Sequence, residues 1–357
     1  HLVVHNGALT LSWLVHDQES GHTMQYATWS DRTWGEATDI YSSDRMFANW
    51  ADRPSIVQLG DGSWVAHWLE KSGADTYAYD VRLAHSSDGR NWSGSITPHD
   101  DGTQTEHGFV SLLPAEDDGV LAVWLDGRDY AKREHGEAEM SLRSARWSPQ
   151  GVTQEAVLDM RTCDCCPTSA VATSEGVLVA YRDRGADETR DISLVRLQDG
   201  KWSEPWPLHE DGWIIQGCPV NGPELAAQGD QVVAAWYTQS PVSMVQVAFS
   251  SNAGQSFGTV ARIDDGEPAG RVDVVLLENG DAFAIWLESP AEGDAEIRGR
   301  VIRSSGQIEA SFQVAVTDGS RASGYPRLER IGNTAYAAWT ESGETSKIRM
   351  ATIDDLY

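Results

Sequence analysis

Lysine is nearly absent from this chain. Only four of its 27 basic residues are Lys, against 54 acidic residues, and the net charge is −27. Such a field repels polyanions, so nucleic acid and anionic membrane surfaces are poor partners and no nucleic acid is expected, and an anionic small molecule would need a local arginine pocket. No apolar run approaches the ~18 residues of a membrane-crossing helix, so membrane insertion is not expected. No apolar stripe of helical period is present, which argues against a helical solenoid. The start, His1-Leu2-Val3-Val4-His5, has neither a basic leader nor a long apolar segment, and the first residue is not Met. The reading is an exported protein, periplasmic or secreted, that lacks an upstream piece. Cysteine is limited to four residues, of which Cys163, Cys165 and Cys166 are clustered and Cys218 stands apart.

What is abundant is Trp, with 15, and Gly, with 33. Much of it belongs to a repeat: an apolar strand, a Gly-containing turn, then a strand that closes on an aromatic ring. Copies are residues 54–68, 109–124, 167–181, 222–236, 272–286 and 325–339, with a shortened copy at 1–13. The closing aromatics are Trp13, Trp68, Trp124, Tyr181, Trp236, Trp286 and Trp339, spaced by 50 to 57 residues. Each unit continues with a third alternating strand, such as Val81–His85 or Val245–Phe249, and a short fourth one. Period-2 alternation between Gly and Asp turns is antiparallel β. Seven such units predict an all-β fold, a seven-bladed β-propeller of four-stranded antiparallel blades, as a single domain over 1–357. The blades fall near 1–45, 46–100, 101–160, 161–212, 213–265, 266–318 and 319–357. The closing aromatics are expected between neighbouring blades, as core. The last copy ends after its third strand, and His1 aligns with Ile56, inside a first strand. Upstream residues are therefore expected to begin the first inner strand and to donate the last blade's outer strand.

The turn between third and fourth strands carries a second signature. Ser250-Ser251-Asn252-Ala253-Gly254-Gln255-Ser256-Phe257 fits S-x-D/N-x-G-x-x-aromatic, and Ser86-Ser87-Asp88-Gly89-Arg90-Asn91-Trp92 is one residue shorter. Ser30-Asp31-Arg32-Thr33-Trp34 and Asp199-Gly200-Lys201-Trp202 are worn relatives. Asp or Asn caps the turn's own backbone donors, Gly takes the positive φ, and the ring covers the hairpin. In these motifs the chain resembles the bacterial sialidase-like Asp-box (BNR-repeat) propellers, over nearly its whole length. The resemblance implies that the boxes are structural and lie away from an active face.

Strand order predicts which residues reach one mouth of a propeller. The strand starts are Arg53, Gly108, Cys166, Asn221, Arg271 and Gly324. Cys163 and Cys218 hold equivalent places three residues earlier. Loops over the same face bring Asp126, Arg128, Asp129, Tyr130 and His135, then Arg182, Asp183, Arg184 and Arg190. The cysteine run Cys163-Asp164-Cys165-Cys166 with Cys218 admits three chemistries. It can form disulfides that pin a rim loop. It can bind a soft metal, copper or zinc, through thiolates from two blades with His107 or His135. Or it can act as a redox-active dithiol.

The resemblance implies further candidates. Sialidases clamp the substrate carboxylate with three arginines, in bidentate pairs. Arg53, in Asp52-Arg53-Pro54-Ser55-Ile56, resembles the family's Arg-Ile-Pro strand start with Pro one residue early, and Arg271 and Arg321 would complete the clamp. Arg182 is a fourth substrate-binding candidate. A sialidase also uses a Tyr nucleophile activated by Glu and an Asp acid. Tyr325 and either Asp126 or Asp183 are the candidates, but the sequence shows no Glu partner for the Tyr. Known members have six blades, where this chain shows seven repeats. The leading expectation is thus an exported propeller whose cysteine cluster binds metal or is redox-active. The alternatives are an exo-sialidase-type glycoside hydrolase or a carbohydrate-binding protein for an acidic sugar, and a structural propeller with a disulfide-pinned rim. The expected partner is a metal ion, a small molecule or a glycan.

Overall fold

The computed structural model describes residues 1–17, 19, 21–30, 32–115, 119–132, 138–290, 294–354 and 356. Among them the chain forms seven antiparallel sheets in sequence order, with two short 3-10 turns and no α-helix. This is the blade series of a seven-bladed all-β propeller. It divides into two compact units, His1–Asp164 with blades 1 to 3 and Cys165–Tyr357 with blades 4 to 7. Every blade is an antiparallel meander in which the first three strands pair in sequence order. Blades 2 and 7 have three ladder strands, whereas blades 1 and 4 split the outer strand into two pieces. The third strand of blade 7 runs Lys347–Ile353.

The second strands explain the stacking. Val120–Asp126 and Ala282–Glu288 are buried at every position, so they read as continuous apolar runs and not as alternating ones. A strand covered on both faces has no solvent side to mark with polar residues. Trp68, Trp124, Tyr181, Trp236 and Trp286 are all buried. Within the first unit, Trp124 shares a core with Val57, Val65 and Val81 of the preceding blade. Within the second, Trp236 packs with Leu178 and Leu194, and Trp286 with Val233 and Val247. Trp124, Trp236 and Trp286 are thus wedges between neighbouring blades, and burying one removes roughly 200 Å² from water, worth about 5 kcal/mol at most. Two of the indole N–H groups find carboxylate acceptors within their own strand: Trp124 donates to Asp126 Oδ2 at 2.8 Å and Trp286 to Glu288 Oε2 at 2.5 Å, whereas Trp68 Nε1 is buried with no hydrogen-bond partner.

The turn chemistry is local, as expected. Ser86 Oγ accepts from Gly89 N at 2.8 Å, and Asp88 Oδ1 accepts from Arg90 N and Asn91 N at 2.9 and 2.8 Å. Ser250 and Asn252 repeat the pattern toward Gly254 N and Ser256 N. Asp31 lies outside the described residues.

Neighbouring blades are also laced together, from the second strand of blade 1 to the approach of blade 2 and elsewhere between first strands or the segments that lead into them. Ser12 Oγ donates to Pro54 O, and Asp52 Oδ2 accepts from Phe109 N. Ser169 Oγ accepts from Leu225 N, Asn221 Oδ1 from Arg271 N, and Asp273 Oδ2 from Leu328 N. The strand starts differ in register from the sequence reading. Gly108 and Arg271 lie inside their strands, while Arg53, Cys166, Asn221 and Gly324 precede theirs by two or three residues. The extra residues are taken up at Phe109 and Arg271, which hold φ of 56° and 51°.

Candidate active site

In the first unit, the third strand of blade 2 starts beside the first strand of blade 3. Tyr79 N donates to Thr105 O at 3.1 Å, and Tyr79 forms a parallel bridge with Glu106. That pairing sets the two side chains together: Tyr79 Oη donates to Glu106 Oε1 at 2.5 Å. Asp52, from the segment ahead of blade 2's first strand, completes the group. A Cβ on Gly108 would lie 2.3 Å from Asp52 Oδ2 and 3.1 Å from the Tyr79 ring, so only glycine lets both approach. Phe47 stacks on the Tyr79 ring with centroids 4.3 Å apart. Burial pushes the Asp52 carboxyl up to about 7, against the Phe109 N–H and the Arg53 charge that favour its anion. Burial also lifts Glu106 to about 7, helped by the negative charges of Asp164 and Asp52 and opposed by the Tyr79 hydroxyl. Tyr79 is held well above its usual range by burial and by Glu106. Two carboxyl groups poised near neutrality beside one phenol are what acid–base chemistry at pH 7 requires. The sequence reading missed this Tyr–Glu pair.

Behind it lies a buried charged network. His107 is wholly buried, and its Nε2 lies 3.2 Å from Asp101 Oδ2 and 3.8 Å from Asp126 Oδ1. Burial alone would lower the His107 pKa, but Asp101, Asp126 and Asp80 raise it. Asp126 accepts from Trp124 and, through both oxygens, from Arg128. Burial would raise Asp126, yet Arg128 and His107 hold it below the usual range. Asp126 therefore stays ionised at neutral pH and has no proton to give, which removes it as the acid. His107 faces carboxylates and the Tyr79 carbonyl, so it is not the partner of a thiolate cluster. His135 lies outside the described residues.

The second unit holds the other candidates. Arg182 is 1% exposed, and it donates to the carbonyls of Asn221, Arg190 and Tyr237 at 2.8, 2.6 and 2.7 Å. It also lies over the Trp213 ring at 4.8 Å. It is a brace between loops and not a ligand clamp. Arg182→Ala is expected to destabilise the fold by roughly 3–5 kcal/mol in urea denaturation, because three buried acceptors lose their donor at once. Arg182→Lys should not restore it, since one ammonium cannot reproduce the planar fork. Arg271 is also committed, donating to the carbonyls of Gly319, Ser320 and Gly324 and to Ser323 Oγ. Arg321 is exposed on the turn Arg321–Ser323. Arg53 belongs to the first unit and is half-buried beside Asp52. Asp183 accepts from Ser193 Oγ at 3.0 Å. Tyr325 donates its hydroxyl to Val220 O, a backbone carbonyl and not a carboxylate base. Arg327 instead draws carboxylates together across three first strands: it donates to Glu224 and lies 3.1 Å from Asp273. Beside them, burial and Asp273 lift Glu329 to about 8.

No family model and no curated protein matches the chain. Solved structures do. The BP39L lectin from Burkholderia pseudomallei aligns at TM-score 0.64 and 11% identity, over 97% of this chain and 92% of the lectin. A leech intramolecular trans-sialidase aligns at 0.54 and 10%, over 84% of this chain and 67% of that one. An α-L-arabinofuranosidase from Fusarium graminearum aligns at 0.53 and 14%, over 87% and 98%. The fold is that of a sialidase-like propeller.

In this sialidase-like propeller, Cys165 and Cys218 form a disulfide, with Cα atoms 6.0 Å apart. The sequence reading had placed Cys163 opposite Cys218. The bridge instead uses Cys165, two residues further along the chain. Cys163 and Cys166 are buried and take no part in it. Ligand atoms of Cys163, Cys165 and Cys218 lie within 4.8 Å of one another, a spacing that a metal ion could use only with the bridge reduced. The cross-link closes a loop across a sequence separation of 53. Cys218→Ser is therefore expected to cost about 2–4 kcal/mol, read as a lower melting temperature that reductant reproduces in the native protein.

Proposed function

We propose that this sialidase-like propeller is a carbohydrate-active protein whose site is built from Tyr79, Glu106, Asp52 and Arg53, and that it cleaves a glycoside of an acidic sugar. The observation that carries the reading is the 2.5 Å hydrogen bond from Tyr79 Oη to Glu106, beside a second carboxyl near neutrality. Tyr79 Oη would attack the anomeric carbon as Glu106 takes its proton. Asp52, protonated, would give its proton to the departing oxygen, and then activate the water that releases the sugar from Tyr79. Arg53 supplies the positive charge that a sugar carboxylate needs in so acidic a protein. The disulfide supports an oxidising, exported location. A second reading, a lectin that binds without turnover, is favoured by the complete burial of the Tyr79 ring. A panel of fluorogenic sialosides and arabinofuranosides, with calorimetric titration of the free sugars, tests both. Turnover supports the hydrolase, and binding alone supports the lectin. Neither turnover nor binding would end the carbohydrate reading.

A further inference from the structure

We propose that Cys163 and the Cys165–Cys218 bridge form a thiol–disulfide exchange centre, in which a small thiol enters at Cys218 and Cys218 can be cross-linked to either Cys165 or Cys163. The sulfurs of Cys163, Cys165 and Cys218 all lie within 4.8 Å of one another. They differ in access: Cys218 is exposed, Cys165 half-buried and Cys163 wholly buried. Cys166 is buried too and lies outside this group of sulfurs. A disulfide with a third cysteine packed beside it is the arrangement in which the bond can move, because the incoming sulfur is already held next to the bond it must attack. Cys163 therefore needs no solvent access to reach the bridge. An external thiol does need it, and Cys218 is the sulfur that offers it.

The exchange balances without an oxidant. A small thiolate attacks Cys218 Sγ, the bond between Cys165 and Cys218 breaks, and Cys165 leaves as a thiolate that takes a proton from water. Cys163 then gives its thiol proton to water and attacks Cys218 Sγ of the mixed disulfide. The small thiolate departs, and Cys163 and Cys218 are joined. One protein disulfide is present before and after, and the small thiol is returned unchanged. Loop closure favours neither bridge. The present one spans a sequence separation of 53, and moving it two residues along the chain leaves a closure entropy that varies only with the logarithm of loop length essentially unchanged. Cys163 and Cys218, the pair expected from the equivalent places of the two blades, are thus the second state of the same centre. The exchange does not depend on any glycoside chemistry.

Cys165→Ser tests the centre directly. The variant keeps Cys163, Cys166 and Cys218, and after oxidative folding only Cys166 should titrate as a thiol in denaturant, with peptide mapping joining Cys163 to Cys218. Its melting temperature should stay near the native value, whereas Cys218→Ser melts lower. Native protein held with a trace of 2-mercaptoethanol, then quenched in acid and alkylated, should yield both bridges, with Cys165 alkylated in the new isomer. That isomer should form faster at about pH 8 than at about pH 6, since the thiolate is the attacking form. Three titrating thiols in Cys165→Ser, a Cys166–Cys218 bridge in that variant, a melting temperature as low as that of Cys218→Ser, or no Cys163–Cys218 peptide from the thiol-treated native protein would each overturn the centre. If Cys165→Ser does not fold, the exchange in native protein decides the matter.

Discussion

Tyr79→Phe should abolish turnover of a sialoside while leaving the melting temperature nearly unchanged. The phenol oxygen is the only atom removed, and the ring keeps its stack on Phe47 and its contact with Gly108. Glu106→Gln should slow kcat by about 10²–10⁴-fold, the usual range for losing a positioned base. Asp52→Asn should fall by a similar factor on substrates with alkyl leaving groups. It should fall much less on a fluorogenic aryl sialoside, whose leaving oxygen departs without help from a proton. A loss that is equal on both substrates would mean that Asp52 is not the acid.

The same roles fix the pH profile. Glu106 must be ionised to take the phenol proton, and it lies near 7. Asp52 must be protonated to serve the leaving group, and it too lies near 7. Activity is therefore lost below neutrality through Glu106 and above it through Asp52. A narrow bell centred near pH 7 is expected for kcat/KM, with the alkaline limb gone in Asp52→Asn. A flat profile from pH 5 to 8 would contradict the assignment.

The architecture was legible because it is written seven times. A wedge such as Trp124 or Trp286 recurs at a fixed place in each blade, and a period of that kind survives the loss of any one copy. The site is written once, and across blades. Tyr79 and Glu106 are 27 residues apart and meet only because the third strand of blade 2 starts beside the first strand of blade 3. Reading strand starts for first strands alone reaches Gly108 and stops short of Tyr79, two residues ahead of Val81. Arg182 and Arg271 misled for a related reason. Arg is the residue of choice both for a carboxylate ligand and for gathering loop carbonyls, and sequence does not say which partner it meets. Only the three carbonyls around the Arg182 guanidinium distinguish the two uses.

Stability should fall as pH rises through the window where Asp52 gives up its proton. Its carboxyl, 5% exposed, titrates at about 7 in the fold and at 3.8 when the chain is open. Between those values the folded state binds the extra proton, so unfolding free energy declines with rising pH, by up to about 4 kcal/mol in all, and the loss is complete above about pH 7. Glu329, lifted to about 8, adds to the same slope. Asp126 acts in the other direction: its lowered pKa contributes stability above the unfolded value that is lost as acid protonates it. The optimum therefore belongs on the acidic side, near pH 4–5, for a protein whose net charge also repels itself more strongly as the pH rises. Asp52→Asn isolates the first effect, since an amide oxygen can still accept from Phe109 N. The variant should match the native protein near pH 4 and melt higher at pH 8. If it melts lower at pH 8, the Asp52 anion is a favourable partner of Arg53, and the proton donor of the proposed mechanism is lost with it.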